Sequence, residues 1–205
     1  MPKKQHKAVA FDFGGVIRLN DQGDVLAKVA HLLGVSDDAF REAYYQHNHL
    51  SNVQNASWED TVAGVARLFD SRPQTEKEVR KIIEEFRNGD YLNRELLDLL
   101  PRLRAKGLKT AIFSNAQSEL RKYLVSEGID KMVDEVVISG EIGHQKPHKE
   151  AFQVLFERLK VLPEEVAFID DSKKSLEKAS EIGYTPILFK DNQQLKSELA
   201  SLGLM

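Results

Sequence analysis

The chain has 205 residues, 41% hydrophobic and 30% charged, which is typical of a folded globular protein rather than a disordered or fibrous one. Its formal net charge is −3 and it has no long basic block, so we expect no nucleic-acid partner. It contains no cysteine, which excludes disulfides, zinc thiolate sites and thiol catalysis and fits a reducing compartment.

The N-terminal segment lacks the pattern of a signal peptide. Its basic residues are followed by an apolar run, but Asp12 and a pair of glycines interrupt this run and no small-residue cleavage site follows. No segment reaches the roughly 18 apolar residues that a membrane span requires. We therefore expect a cytoplasmic protein with no membrane partner. The oligomeric state is left open, and a monomer is compatible with this length.

Five short apolar runs predict buried strands, and helical patterns separate the later ones. The predicted strands are 8–13, 110–114, 135–139, 166–170 and 186–189. The predicted helices are 94–106, 117–127, 149–159 and 173–182. Strands that alternate with helices of this length favour an α/β fold, a Rossmann-like parallel sheet with helices on both faces.

The segment 21–89 breaks this alternation. Its apolar residues have helical spacing, and Ser57 three residues before Asp60 predicts a helix N-cap. We find no convincing strand there. The sequence therefore predicts a core made of residues 1–18 and 94–205, with an inserted all-helical cap at 19–93.

Polar residues with useful chemistry follow four of the predicted strands. Ligands bind at the carboxyl ends of strands in open parallel sheets, so these positions are the first to inspect. They are Asp12, Ser114, Lys146 and the pair Asp170 and Asp171. Each has a structural explanation when taken alone, as a turn former, a helix N-cap or a solvated surface charge. Their order along the chain favours a shared site.

This order resembles the haloacid dehalogenase (HAD) superfamily. Its first motif is an apolar strand ending in Asp-x-Asp, and a Ser or Thr, a Lys and an acidic pair follow. The resemblance spans nearly the whole chain. Within the superfamily, the chain most resembles phosphatases with a helical cap, such as glucose-1-phosphatases and the N-terminal domain of epoxide hydrolases. The segments that carry it are 11–17, 113–115, 146–147 and 168–171.

The resemblance implies a magnesium-dependent phosphohydrolase that acts on a small phosphorylated substrate. Asp12 would be the nucleophile that forms an aspartyl-phosphate. The implied ligands of Mg²⁺ are Asp12, the carbonyl of Gly14 and Asp171, with Asp170 holding metal-bound water. The implied phosphate-binding groups are Ser114, Asn115 and Lys146, of which Ser114 and Lys146 stabilise charge during catalysis.

The chain departs from the family pattern at Gly14. Most phosphatases of the superfamily have a second Asp here, which protonates the leaving group and then activates water. Such general acid-base catalysis is typically worth about 10²- to 10⁴-fold in rate. Candidate replacements are His47, His49 and His144, although the sequence favours an ordinary surface or packed histidine at each position.

Three functions are compatible with Gly14. The favoured one is an active phosphatase, with a sugar 1-phosphate as a reasonable substrate because its leaving group departs easily. A metal-free 2-haloacid dehalogenase is disfavoured, because the acidic pair would crowd a halide site. A non-catalytic protein that binds a phosphorylated ligand or a partner is the third.

The cap is expected to decide specificity by closing over the strand ends. Its distinctive residues are Tyr44, Tyr45, His47, His49, Trp58 and Phe69. For Trp58 the sequence favours packing at a helix start over contact with substrate. Arg18 is interpreted as a hinge or rim residue.

Overall fold

The centre of the computed structural model, which describes residues 5–205, is a parallel five-stranded sheet. The first four residues of the predicted core lie outside this range. The strands of the described chain are β1 (Ala8–Phe11), β2 (Arg18–Asn20), β3 (Asp90–Leu92), β4 (Lys109–Ser114), β5 (Glu135–Ile138), β6 (Val166–Asp170) and β7 (Thr185–Leu188). The sheet order is β5-β4-β1-β6-β7, which confirms the predicted α/β class with a parallel sheet.

Helices surround this sheet and fill the segment between β2 and β3. In chain order they are α1 (Val25–Leu33), α2 (Asp37–His47), α3 (His49–Asn52), α4 (Trp58–Arg67), α5 (Pro73–Asn88), α6 (Arg94–Ala105), α7 (Leu120–Ser126), α8 (Ser139–Ile142), α9 (Lys149–Leu159), α10 (Lys173–Leu176), α11 (Ala179–Ile182) and α12 (Asn192–Ser201). Two 3₁₀ turns, Ile129–Met132 and Pro163–Glu165, precede β5 and β6. Within the described residues, no helix is long and apolar enough to span a membrane.

Both faces of the sheet are covered, which explains why its strands are continuous apolar runs. All four residues of β1 are buried. Val9 and Phe11 pack on one face with leucines of α6, α7 and α12, while Ala8 and Ala10 pack on the other with α9. Because β1 lies in the middle of the sheet, between β4 and β6, the residue that follows it reaches the centre of the carboxyl edge.

Helices α1 to α5 have an apolar core of their own. The cluster includes Val29, Phe40, Val62, Val79 and Ile83, and it shares no residue with the two clusters that flank the sheet. The Ser57 hydroxyl accepts a hydrogen bond from the Asp60 amide at 3.2 Å, as its N-cap pattern predicts. This helical segment falls within the predicted insertion.

A short antiparallel ribbon of β2 and β3 joins this helical segment to the sheet, where the sequence indicated only helix and loop. Three-residue strands are too short to show an alternating pattern, so periodicity could not detect them. Asn93, directly after β3, accepts a hydrogen bond from the Leu96 amide and donates one to the Val16 carbonyl at 3.1 Å. The ribbon is thereby fixed against the core where α6 begins.

Two predicted helices differ in extent. The helix predicted at 173–182 is two pieces, of which α10 packs against β6 and β7 and α11 against β7. Helix α7 begins at Leu120 rather than Gln117. Gln117 and the Ser118 amide instead form hydrogen bonds to residues of the helical segment, so this stretch is held as a loop.

Candidate active site

Asp12 stands at the centre of the carboxyl edge of the sheet. Its amide donates to the Ile169 carbonyl of the neighbouring strand at 2.8 Å, which continues the pairing of β1 with β6 by one residue. Its carboxylate accepts the Phe13 amide at 2.7 Å and lies 3.0 Å from the Lys146 ammonium. The carboxylate is therefore held by fixed donors and faces out from the sheet edge.

Lys146 is a buried cation with three oxygen partners. Its Nζ atom lies 2.6 Å from Asp170 Oδ2, 3.0 Å from Asp12 Oδ1 and 3.0 Å from the Phe113 carbonyl. The rings of Phe113 and Phe168 flank it, at 5.3 Å and 5.0 Å from their centroids. Although burial opposes the charge, Asp12 and Asp170 raise the pKa of Lys146 above its ordinary value, so the side chain stays protonated.

Three carboxylates converge here. Oxygen atoms of Asp12, Asp170 and Asp171 all lie within 4.8 Å of one another. Burial and the charges of Asp12 and Asp170 raise the pKa of Asp171 to about 7. Burial also raises the pKa of Asp170, against the lowering effect of Lys146. Crowded carboxylates of this kind need a cation to be fully ionised, and their all-oxygen donor set suits Mg²⁺.

The glycine pair after Asp12 serves two different purposes. Gly15 has a φ of +75°, and a Cβ there would stand 2.2 Å from Asp171 Oδ2. Only glycine fits this position, because the turn passes directly against the carboxylate cluster. At Gly14, by contrast, a Cβ would meet nothing within 4 Å. The space beside the nucleophile is therefore open.

Ser114 and Asn115 lie at the end of β4 and line the cavity that is described below. The Asn115 side chain forms a pair of hydrogen bonds with the backbone of Lys146, at 2.8 Å and 3.0 Å. This side chain positions the lysine loop, a role that the sequence did not indicate. Ser114, the last residue of this strand, is 4% exposed and lines the cavity.

A cavity separates the sheet edge from the helical segment, and it has two lobes. The inner lobe, about 400 Å³, contains Ser114 and Asn115, and the outer lobe, about 830 Å³, contains Asp171. The residues that line both lobes are Gly14, Arg18, Tyr44, Trp58, Phe86 and Asp90. The floor is thus supplied by strand ends, and the roof by α2, α4 and α5.

Trp58 and Arg18, which the sequence assigned to packing and to a hinge or rim, both line the cavity. Trp58 Nε1 donates to the Tyr44 hydroxyl at 3.1 Å, and the Trp58 ring lies against Phe86, so Trp58 both packs and lines the cavity. Arg18 follows the first-motif loop on β2 and its guanidinium lies 5.5 Å from the Phe13 ring centroid. Arg18 is therefore at the rim as well as in the ribbon.

The structure places no histidine in either lobe among residues 5–205. His47 Nδ1 lies 2.8 Å from the Ala43 carbonyl of its own helix, while His49 and His144 are exposed. This placement fits the alternative that all three are ordinary surface or packed histidines. His47 ends α2 and His49 begins α3, while His144 lies in the loop after α8.

A second contact between helical segment and core lies opposite the ribbon. Asn55, with a left-handed φ of +59°, donates to the Gly140 carbonyl at 3.0 Å and accepts the Ser118 amide at 2.7 Å. Gln117 donates to the Ala56 carbonyl at 2.7 Å. We call these contacts of Asn55, Ala56, Gln117, Ser118 and Gly140 the clasp. The ribbon contributes Arg18 and Asp90 to the lining of the cavity, and the clasp contributes Gln117.

Residues 6–182 match the family model described as haloacid dehalogenase-like hydrolase. A D-ribitol-5-phosphate phosphatase of Bacteroides thetaiotaomicron is 25% identical over 94% of this chain and 96% of its own length. Bifunctional epoxide hydrolase 2 of Rattus norvegicus is 23% identical over 94% of the chain, which spans 38% of the length of that protein.

Solved structures share the fold. A HAD-like family hydrolase from Porphyromonas gingivalis superposes with a TM-score of 0.64 at 19% identity, over 97% of this chain and 98% of that one. A HAD family enzyme of Bacteroides thetaiotaomicron, solved with magnesium and inorganic phosphate, superposes with a TM-score of 0.60 at 18% identity, over 93% and 98% of the two chains.

Proposed function

The chain belongs to the haloacid dehalogenase-like hydrolases, and from this premise we propose that it is a magnesium-dependent phosphohydrolase acting on a small phosphorylated metabolite through Asp12. The observation that carries the proposal is the cluster of Asp12, Asp170 and Asp171 around the buried Lys146. Named phosphatases among the relatives support the same reaction class.

The residues present suit a resident magnesium ion. Asp12, Asp171 and the carbonyl of Gly14 would hold it, since Mg²⁺ prefers oxygen ligands and keeps several waters. When bound, the ion neutralises the incoming phosphate and orients it for attack. The remaining steps are assigned to Asp12, Lys146 and Ser114.

In the proposed reaction Asp12 attacks phosphorus and becomes an aspartyl-phosphate, which water then hydrolyses. Lys146 and Ser114 stabilise charge on the phosphoryl oxygens. Asp170 also has a role that the sequence did not indicate. Its carboxylate accepts from both Lys146, at 2.6 Å, and the Ser172 amide, at 2.8 Å, and so holds the lysine in place, besides its proposed contact with metal-bound water.

The lining of the cavity favours a polar organic phosphate. The roof supplies aromatic faces from Tyr44, Trp58 and Phe86, and charged groups from Glu59 and Arg87. A phosphorylated sugar or polyol combines the hydroxyl groups and apolar C–H faces that such a lining recognises. We therefore include a sugar phosphate in the proposal.

The test is phosphate release from a panel of phosphate esters, with and without Mg²⁺, by the wild type and an Asp12→Asn variant. We expect metal-dependent release that falls at least about 10⁴-fold in the variant, as for loss of a nucleophile. Asp98→Asn, at an exposed position on α6, is the matched control. Halide release from 2-haloacids without metal, or silence with every ester, would contradict the proposal.

A further inference from the structure

The open space beside Asp12 leaves the departing oxygen of a substrate without the usual acid. Gly14 contributes no side chain, and a Cβ placed there would meet nothing within 4 Å. Tyr44 lines both lobes of the cavity together with Gly14. We propose that the Tyr44 hydroxyl takes the place of the missing carboxylic acid and protonates the leaving-group oxygen. This inference rests on the proposed function.

The hydrogen bonding of Tyr44 fits a donor. Trp58 Nε1 donates to the Tyr44 oxygen at 3.1 Å, so this bond engages a lone pair and leaves the phenol proton available. Within residues 5–205 no protein acceptor is paired with that proton. Tyr44 lines the cavity, and a hydroxyl that accepts a hydrogen bond from an N–H group can still donate its own proton to a bound ligand.

Burial raises the pKa of Tyr44 to about 12, so the phenol remains protonated throughout the working range of an enzyme. Alkoxides that leave from alkyl and polyol phosphates are stronger bases than this phenolate, so proton transfer from Tyr44 to them is downhill. An aryl oxide such as p-nitrophenolate needs no such help.

The other ionisable groups of the roof are less suited. Glu59 accepts a hydrogen bond from Ser57 at 2.7 Å and pairs with Arg87. Although burial opposes the shift, these partners hold the pKa of Glu59 below its ordinary value, so it has no proton to give at neutral pH. The described histidines lie outside the cavity. Tyr123 packs its ring against Phe13 and is 38% exposed at the rim.

The proton balance closes over two steps. As Asp12 forms its bond to phosphorus, the bond from phosphorus to the leaving oxygen breaks, and that oxygen takes the Tyr44 proton together with the electron pair. Water then enters the vacated side and attacks phosphorus, giving its proton to the Tyr44 phenolate. Phosphate leaves, the Asp12 carboxylate is restored, and Tyr44 is a phenol again.

The test compares two substrates in a Tyr44→Phe variant, which keeps the ring and loses the hydroxyl. We expect kcat/KM to fall by about 100-fold for an alkyl or sugar phosphate but by less than about threefold for p-nitrophenyl phosphate. The value of kcat/KM reports the first chemical step, before any shared hydrolysis of the intermediate. Tyr45→Phe is the control, since Tyr45 is the adjacent tyrosine and is 40% exposed.

A second variant tests the same assignment by rescue. In the double variant Gly14→Asp with Tyr44→Phe, the new carboxylic acid should raise kcat/KM for the alkyl phosphate at least about tenfold above that of Tyr44→Phe alone. Thermal unfolding and the fluorescence of Trp58, the one tryptophan in the sequence, establish that each variant is folded.

The outcomes separate the two claims. Equal losses for the two substrates in Tyr44→Phe, or no rescue by Gly14→Asp, would overturn the assignment of Tyr44 alone. A wild type that releases phosphate from neither substrate with Mg²⁺ would overturn the proposed function and this inference with it. A loss confined to the alkyl substrate supports both.

Discussion

The floor and the roof of the cavity show opposite ways of building a site. At the sheet edge that supplies the floor, Asp12, Lys146 and Asp170 are tied to one another and to strand backbone, and the lysine is 3% exposed. The roof presents Tyr44, Trp58 and Phe86 from separate helices, with a single hydrogen bond joining the first two. A substitution in the floor therefore removes a full charge from a low-dielectric environment and should have a large effect. A substitution in the roof removes a single contact and should have a smaller one.

The largest effect is expected from Lys146→Met, which leaves the buried Asp170 and the partly exposed Asp12 without their cation. Breaking a buried ion pair from one side typically costs about 3–5 kcal/mol of unfolding free energy. We also expect kcat/KM for any phosphate ester to fall by about 10³-fold, because charge stabilisation is lost. Urea unfolding and steady-state kinetics measure the two effects. The exposed Lys149→Met is the control, and a cost below about 1 kcal/mol would mean that the floor behaves as a surface ion pair.

Asp171→Asn tests the electrostatic crowding of the floor. The pKa of Asp171 is raised from an ordinary 3.8 to about 7 in the folded state, so the folded protein loses stability as pH rises from about 4 to about 7, and the penalty is complete above that range. Without metal, the wild type should lose thermal stability relative to the variant between about pH 4 and about pH 7, and the difference should then stay constant. Adding Mg²⁺ should reverse the order by stabilising the wild type. Parallel pH profiles for the two proteins would contradict a crowded site.

Gly14→Asp should change the floor in the direction of the commoner family pattern. The position is open, so the new side chain is accommodated, and we expect kcat/KM for an alkyl phosphate to rise about tenfold. Gly15→Ala is the matched comparison, because the added Cβ overlaps Asp171 and the residue must keep a φ of +75°. That variant should lose metal-dependent stabilisation. Equal tolerance at the two glycines would show that the turn is looser than the structure indicates.

The smallest effect is expected from Asn55→Gly, which opens the clasp while keeping the left-handed backbone. Two hydrogen bonds are lost, each worth about 1 kcal/mol at most sites. We expect KM to rise about threefold. The aryl and alkyl substrates should be affected equally, because the clasp positions the roof and takes no part in the reaction itself. Asn55→Ala adds backbone strain and should cost more stability. A selective effect on one substrate would mean that the clasp also shapes the roof.

The sequence predicted the floor because each of its groups comes from the end of a strand or the loop after one. Asp12, Ser114 and Asp170 could be located together from strand order alone, since parallel strands end at one edge. The proposed chemical roles of these residues stay predictions. The deviation from the family pattern at position 14 could also be identified from the sequence alone, because the residue there is Gly rather than Asp.

The roof could not be predicted in this way. Tyr44 and Trp58 meet because α2 and α4 pack in a particular rotation, which helical periodicity alone does not fix. The same uncertainty applied to His47, three residues from Tyr44, whose orientation the sequence could not give. Asn55 carried one local signal, since Asn tolerates a left-handed backbone, but nothing in the sequence indicated its partner Gly140.

The arrangement around Lys146 implies an order of binding. Three carboxylates face one ammonium, so the bare floor is negatively charged even while Asp171 is partly protonated. A phosphate dianion that arrived before the divalent cation would meet this negative charge directly, whereas one that arrives afterwards meets a floor whose charge the cation has offset. We therefore expect inorganic phosphate to bind the protein measurably only when magnesium is already present, with the metal as the leading ligand in an ordered sequence.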